Sequence, residues 1–211
     1  GRGFHFSPSW SGPIGGVPAS GADFGSLANA DAIVDHPYQF DFYDGGGLDM
    51  AFLGMAECNA KGDVNVSKFK DRIAGCGGFI NITQNTHKVV FCGTFTAKGL
   101  REEIRDGKLV ITHEGAVQKF IDKVGQITFS AEYAHKHNQQ GMFITERCVF
   151  VLTDKGLVLT EIAPGVDLQK DIFDQMEFVP HIAENLKTMD ERLFRDEPMG
   201  LAQDIFEQQA G

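Results

Sequence analysis

The sequence predicts one α/β domain built on an open, mixed or parallel sheet. "GLDMAFLGMAE" (47–57) and "THKVVFCGTFT" (86–96) are short apolar runs without polar alternation, which read as strands buried on both faces, the habit of parallel sheets. Stretches of helical period are interleaved with them. No repeat, low-complexity tract or linker divides the chain, so residues 1–211 read as a single unit.

Taken in order, "SLANADAIVDH" (26–36) reads as a helix, followed by the strands of 47–57 and 86–96. "LVITHEG" (109–115) and "VGQITFS" (124–130) read as further strands. "MFITERCVFVLTDKGLVLTEIAPG" (142–165) reads as a hairpin turning at Asp154-Lys155-Gly156. In "DLQKDIFDQMEF" (167–178), Asp167 is placed to cap a helix whose Leu168, Ile172 and Met176 share one face. "HIAENLKTMDERLF" (181–194) continues in helical style through Ile182, Leu186 and Met189.

Composition narrows the function. The 211 residues are 42% hydrophobic and 23% charged, the balance of a globular chain. With 29 acidic and 19 basic residues the formal charge is −10, which argues against a nucleic-acid surface while leaving room for a local basic pocket for phosphates. No run approaches the ~18–20 apolar residues of a membrane helix, and no signal peptide opens the sequence, so a cytoplasmic protein is expected, with the mitochondrial matrix as the alternative. Cys58, Cys76, Cys92 and Cys148 form no C-x-x-C pair and read as free thiols in a reducing compartment, with no metal site.

Several stretches have chemical potential. In "DRIAGCGGFIN" (71–81), Gly75, Gly77 and Gly78 leave the backbone free to take positive φ and let a ligand approach the amides, as a developing oxyanion requires; a plain tight turn is equally compatible. "YDGGGLD" (43–49) reads first as a turn. Lys98 in "TAKGLR" follows a strand, at the end where α/β sheets bind ligands. His135 and His137 in "AHKHNQQG" lack a nearby acidic or thiol partner and read as a polar loop. Glu146 in "ITERCVF", flanked by apolar residues, reads either as the partner of Arg147 or another cation, the favoured reading, or as a buried functional carboxylate.

The succession "GPIGGVPASG", "HPYQFDFYDGGGLDMAFLGMAE", "GDVNVSKF", "RIAGCGGFIN", "FCGTFTAKGL", "ITERCVF" and "LTEIAPGVDL" resembles the family I coenzyme A transferases, closest to the acetate and propionate enzymes that carry both halves on one polypeptide. The likeness runs from about Gly12 to Leu201 and matches the C-terminal, beta-subunit-like half. It implies an open sheet of the CoA-transferase type, acyl-CoA and a short-chain carboxylic acid as substrates, and a covalent glutamyl-CoA thioester with no cofactor besides. It also implies an N-terminal half outside this chain in a protein about twice as long, and a homo-oligomer, without nucleic-acid or membrane partners. Residue 1 then falls near the junction of the halves, and "SPSWSGPIGGVP" is an active-site loop.

The resemblance also implies roles. Gly75-Cys76-Gly77-Gly78 matches the loop whose amides line the oxyanion and acyl-thioester site. Lys98 matches a lysine with a role in holding CoA, and Gly15, Gly16 and Gly45–Gly47 match loops that shape the cleft. The family's nucleophilic glutamate stands directly before Ser11-Gly12, where this sequence has Trp10, and residues 1–22 contain no carboxylate. A natural exchange, cloning sequence and a shifted reading frame each account for Trp10, the last two ranking first because the rest of the site reads intact.

Overall fold

The computed structural model describes residues 13–19, 23, 26–70 and 72–204. Trp10, Ser11 and Gly12 therefore lie outside the described residues. The main elements are α1 (His36–Asp44), β1 (Met50–Gly54), α2 (Phe79–Gln84), β2 (Lys88–Cys92), β3 (Arg101–Arg105), β4 (Lys108–His113), α3 (Ala131–Lys136), β5 (Gln140–Ile144), β6 (Cys148–Thr153), β7 (Gly156–Ile162) and β8 (His181–Thr188).

Six of the strands form one mixed sheet in the order β8-β7-β6-β5-β2-β1. β1, β2 and β5 run parallel, with Val89 beside Ala51 and Gly141. β5, β6 and β7 form an antiparallel meander, and β8 returns parallel to β7. β3 and β4 make a separate antiparallel hairpin. The expected α/β class with a mixed sheet is the observed one.

A phenylalanine cluster fills one face of this sheet. Phe91 packs against Phe79, Phe129 and Phe143, while Phe120 packs against Phe95 and Phe150. All seven are buried, so two rows of rings tie α2, β2, β5 and β6 to the long loops between them. On the other face Leu109, Val149, Ala163, Met189 and Phe194 form a smaller core under the β3–β4 hairpin.

Four elements depart from the sequence reading. Residues 26–36 are not a helix: Leu27–Ala28 pairs with Val17–Pro18 and Ala32–Ile33 with Pro13–Ile14. Asn29 takes a left-handed φ of 58° between them, so strand pairing overrides local helical propensity. The helix begins at His36, with Pro37 tolerated in its first turn. Residues 124–130 are a loop rather than a strand; Val124 and Phe129 are buried while Ile127 is exposed, and Phe129 meets Val64 in a single antiparallel bridge. Residues 181–188 are the strand β8, not a helix. Its register against β7 jumps from Leu159↔Ile182 to Glu161↔Lys187, and the four-residue spacing of Ile182 and Leu186 fits one face of a strand as well as one face of a helix. Finally, β1 is a strand but is not buried on both faces: Met50 and Phe52 are exposed while Ala51 is buried.

Other expectations hold. The hairpin turns at Asp154-Lys155, joined by β5 as a third strand. Asp167 caps a short helical stretch, its carboxylate accepting from the Lys170 amide at 2.8 Å, although that stretch is one wide turn (168–172) and a tight one (173–175) rather than a long helix.

Candidate functional site

The glycine loop stands at the carboxyl end of the parallel strands. α2 lies between β1 and β2 along the chain, and the carbonyls of Thr83 in its last turn and of Thr86 just beyond it accept from Gln139 Nε2, just ahead of β5 (2.6 and 2.5 Å). The far end of α2 and the loop before it therefore face the strands' carboxyl ends, where open α/β sheets bind ligands. Gly75 and Gly77 have φ of +83° and +52°, and Gly78 caps the helix. The Gly75 amide donates to the Ser67 carbonyl at 3.0 Å, which pins the loop's start. Among the described residues the Gly77 and Gly78 amides have no such partner, and a Cβ at Gly77 would meet nothing within 4 Å. A Cβ at Gly78 would fall 2.6 Å from the Phe40 ring, so this glycine is needed for packing against α1.

At the same end of the sheet lies a charged cluster. Arg147, fully buried between β5 and β6, donates from Nη1 and Nη2 to both oxygens of Glu114 (2.8 and 2.7 Å) and from Nε to Glu146 (2.8 Å). Its Nη1 also donates to the Asp171 carbonyl at 2.8 Å, and its guanidinium stacks over the Phe95 ring. Glu146 accepts the Phe95 amide through its other oxygen at 2.8 Å. Buried Lys119 donates to the Thr94 carbonyl at 2.8 Å. Arg147 thus holds two carboxylates, while the Lys119 ammonium is met by a backbone carbonyl and lies within the field of Glu146. Burial works to raise the Glu114 carboxyl pKa, but hydrogen bonds from Arg147 and Thr96 and the guanidinium charge outweigh it and hold the group below its ordinary range. Burial pushes the Lys119 ammonium down, against the pull of Glu146.

The other marked residues are spread around this end or away from it. Lys98 is exposed in a left-handed turn (φ 60°) followed by Gly99 (φ 95°), with its carbonyl accepting from Ala116 at 3.0 Å. Gly15 and Gly16 (φ 83° and 67°) turn the chain between the two short pairings. A Cβ would fall 2.1 Å from Asp31 Oδ2 at Gly15 and 2.3 Å from the Ala28 carbonyl oxygen at Gly16. Gly45–Gly47 end α1, with the Gly45 amide on the Asp41 carbonyl, so this stretch is the expected turn. His137 stacks on Tyr133 at the end of α3, on a different helical face from His135, and no metal-holding group occurs among the described residues. The four cysteines are free. Cys58 and Cys148 are buried, and burial pushes both thiols up, whereas Cys76 is half-buried and Cys92 exposed.

No family model matches the chain. It is 52% identical over 195 residues to the caffeate CoA-transferase of Acetobacterium woodii, a match covering 90% of this chain and 37% of that protein. It is 53% identical over 190 residues to the acetate CoA-transferase YdiF of Escherichia coli K12, covering 90% and 36%. Among solved structures, the acyl-CoA transferase YdiF of E. coli O157:H7, in a thioester complex with CoA, superposes with a TM-score of 0.84 at 52% identity, covering 90% of this chain and 36% of that one. The chain belongs to the coenzyme A transferase family. It spans little more than a third of the relatives it matches, which are therefore longer than the twofold length expected from the sequence.

Within this CoA-transferase fold, the structure brings the glycine loop and the Glu146–Arg147 pair to one end of the sheet, and Glu146 is paired as its apolar flanks imply. Sequence reasoning missed Glu114 and Lys119. Both sit in ordinary polar contexts, "THEGA" and "VQKFI"; half-buried Glu114 and buried Lys119 join the cluster only through Arg147 and the Gly93–Thr96 segment.

Proposed function

We propose that this chain is the C-terminal, beta-subunit-like part of a short-chain acyl-CoA:carboxylate CoA-transferase acting on substrates of the acetate and propionate class. The observation that carries the reading is the 52–53% identity, sustained over 90% of the chain, to enzymes named for CoA transfer to caffeate and acetate. The bacterial relatives favour a cytoplasmic location over a mitochondrial one. The remaining length of the relatives supports an N-terminal partner half, and a homo-oligomer belongs to the same proposal.

In the proposed reaction a glutamate carboxylate attacks the acyl-CoA carbonyl. The C–S bond breaks, CoA leaves as thiolate, and a mixed anhydride remains. The thiolate then attacks the glutamyl carbonyl, expelling the acyl group as its carboxylate and leaving an enzyme–CoA thioester. An acceptor acid takes the CoA by the reverse steps, with no cofactor needed. The Gly77 and Gly78 amides supply donors to the oxyanion of each tetrahedral intermediate, and Gly75 sets the loop through its bond to Ser67. Lys98 holds a CoA phosphate, and Gly15 and Gly16 shape the cleft.

Trp10 stands where the nucleophile belongs, and an indole cannot attack a thioester. That observation favours a second reading, a domain that binds CoA or a partner without catalysis. A thioesterase on the same scaffold is a third. The test is CoA transfer from propionyl-CoA to acetate by the protein at its relatives' full length, as read and with Trp10→Glu. Transfer by the Trp10→Glu protein alone supports the first reading. Transfer by neither supports the second, and CoA release that does not depend on acetate supports the third.

A further inference from the structure

We infer that Arg147 and Glu114 are positioning residues that fix the turn presenting Lys98, and through it the affinity for the phosphate-bearing part of CoA; this rests on the CoA-transferase reading. Two segments converge beside the buried guanidinium. The first, Gly93–Lys98, leaves β2; the second, Glu114–Lys119, leaves β4. They pair antiparallel only briefly, Thr96 with Gln118 and Ala97 with Val117. The remaining ties run through the charged cluster. Glu114 grips Arg147 with both oxygens and accepts the Thr96 hydroxyl, which in turn accepts the Gly115 amide at 3.2 Å and lies 3.4 Å from Arg147 Nη2. Glu146 holds the Phe95 amide and Lys119 the Thr94 carbonyl. The Ala116 amide closes the arrangement on the Lys98 carbonyl.

The arrangement is directional. Lys98 and Gly99 both sit at positive φ, a conformation a lysine keeps only where its surroundings impose it. The surroundings here are the two segments that the cluster ties together. A buried ion network is weak evidence for stability, because apolar residues of similar volume would hold a core as well. What it supplies is geometry, since a bidentate guanidinium–carboxylate pair fixes both distance and plane. Glu114 is 30% exposed beside the Thr96–Lys98 strand end, so the network opens to the surface next to the exposed lysine.

Two measurements test this. In the 211-residue chain, Glu114→Gln keeps an oxygen for Arg147 but loses the bidentate grip, and it should speed hydrogen exchange at the Ala116 amide by about tenfold or more while leaving β2 and β5 amides unchanged. Unchanged exchange at Ala116, or a uniform rise across the sheet, overturns the inference. In the full-length Trp10→Glu protein, Glu114→Gln and Lys98→Ala should each raise KM for propionyl-CoA, on the order of tenfold for Lys98→Ala, with kcat retained. Neither should change KM for propionyl-pantetheine, which lacks the phosphates, and the two effects should not add in the double variant. Equal effects on both thioesters, or additive effects, would mean a structural role only. Activity without this pattern overturns the inference alone. Absence of transfer in the Trp10→Glu protein overturns the functional reading, and the exchange measurement still decides the positioning role.

Discussion

At Gly77 the backbone, not space, sets the demand. Its φ of +52° is a conformation a β-branched residue adopts only with strain, yet a Cβ there would touch nothing. Gly77→Val in the full-length Trp10→Glu protein should therefore lower kcat by about 100-fold or more, the scale of a lost oxyanion donor. Cys76→Ala beside it should be mild, because a carboxylate is the proposed nucleophile. Turnover of the two variants separates the cases: a dead Cys76→Ala with an active Gly77→Val would point to a thiol nucleophile. Glu114 makes a prediction about acid. Its folded pKa lies below the unfolded value, so its contribution to stability is complete above about pH 4.5 and is lost as pH falls through the folded value. Melting temperature should drop on acidification below that point, and Glu114→Gln should flatten part of the drop while lowering the plateau. An unchanged slope in the variant would count against the coupling.

At the scale of elements, β2 carries the sheet. It lies between β1 and β5, and Val89, Val90 and Phe91 are all buried. Phe91 contacts rings from α2, β5 and the 124–130 loop, so Phe91→Ala leaves a cavity that three elements cannot close together. A loss of about 3–5 kcal/mol is expected in denaturant unfolding of the chain, against well under half of that for Phe52→Ala on exposed β1. Similar losses at both positions would show that the ring cluster is not the core. The pattern of β2 is consistent with this role, as Val89, Val90 and Phe91 are consecutive apolar residues, although the similar run of β1 leaves Met50 and Phe52 exposed. β8 shows the opposite case. Its Ile182–Leu186 spacing of four suits a strand face as well as a helix face, and local periodicity cannot reveal a pairing set by a neighbour.

For the whole molecule, the proposed reading places Trp10 at the position of the nucleophilic glutamate, so the 211-residue chain should show no CoA transfer between propionyl-CoA and acetate. Steady transfer by the purified chain would contradict that. The chain should also self-associate in sedimentation experiments. Tyr38, Phe42, Met50, Phe52 and Ile80, on α1, β1 and α2, expose large apolar side chains at one edge of the sheet. A strictly monomeric species at high concentration would argue against it.

The family, the α/β class and the glycine loop were legible in the residues because each rests on local order: long specific strings, unbroken apolar runs, and glycines where φ must be positive. The same locality placed Glu146 beside Arg147 and Asp167 at a helix start. Only the tertiary structure could decide what 26–36 and 181–188 become, since pairing with distant segments outweighs their helical propensity. It alone brought Glu114 to Arg147, 33 positions away along the chain, and Lys119 to Thr94, 25 positions away, at the carboxyl end of β2 and β5. A buried charge must find its partner through space, and no spacing within the sequence records which partner that is.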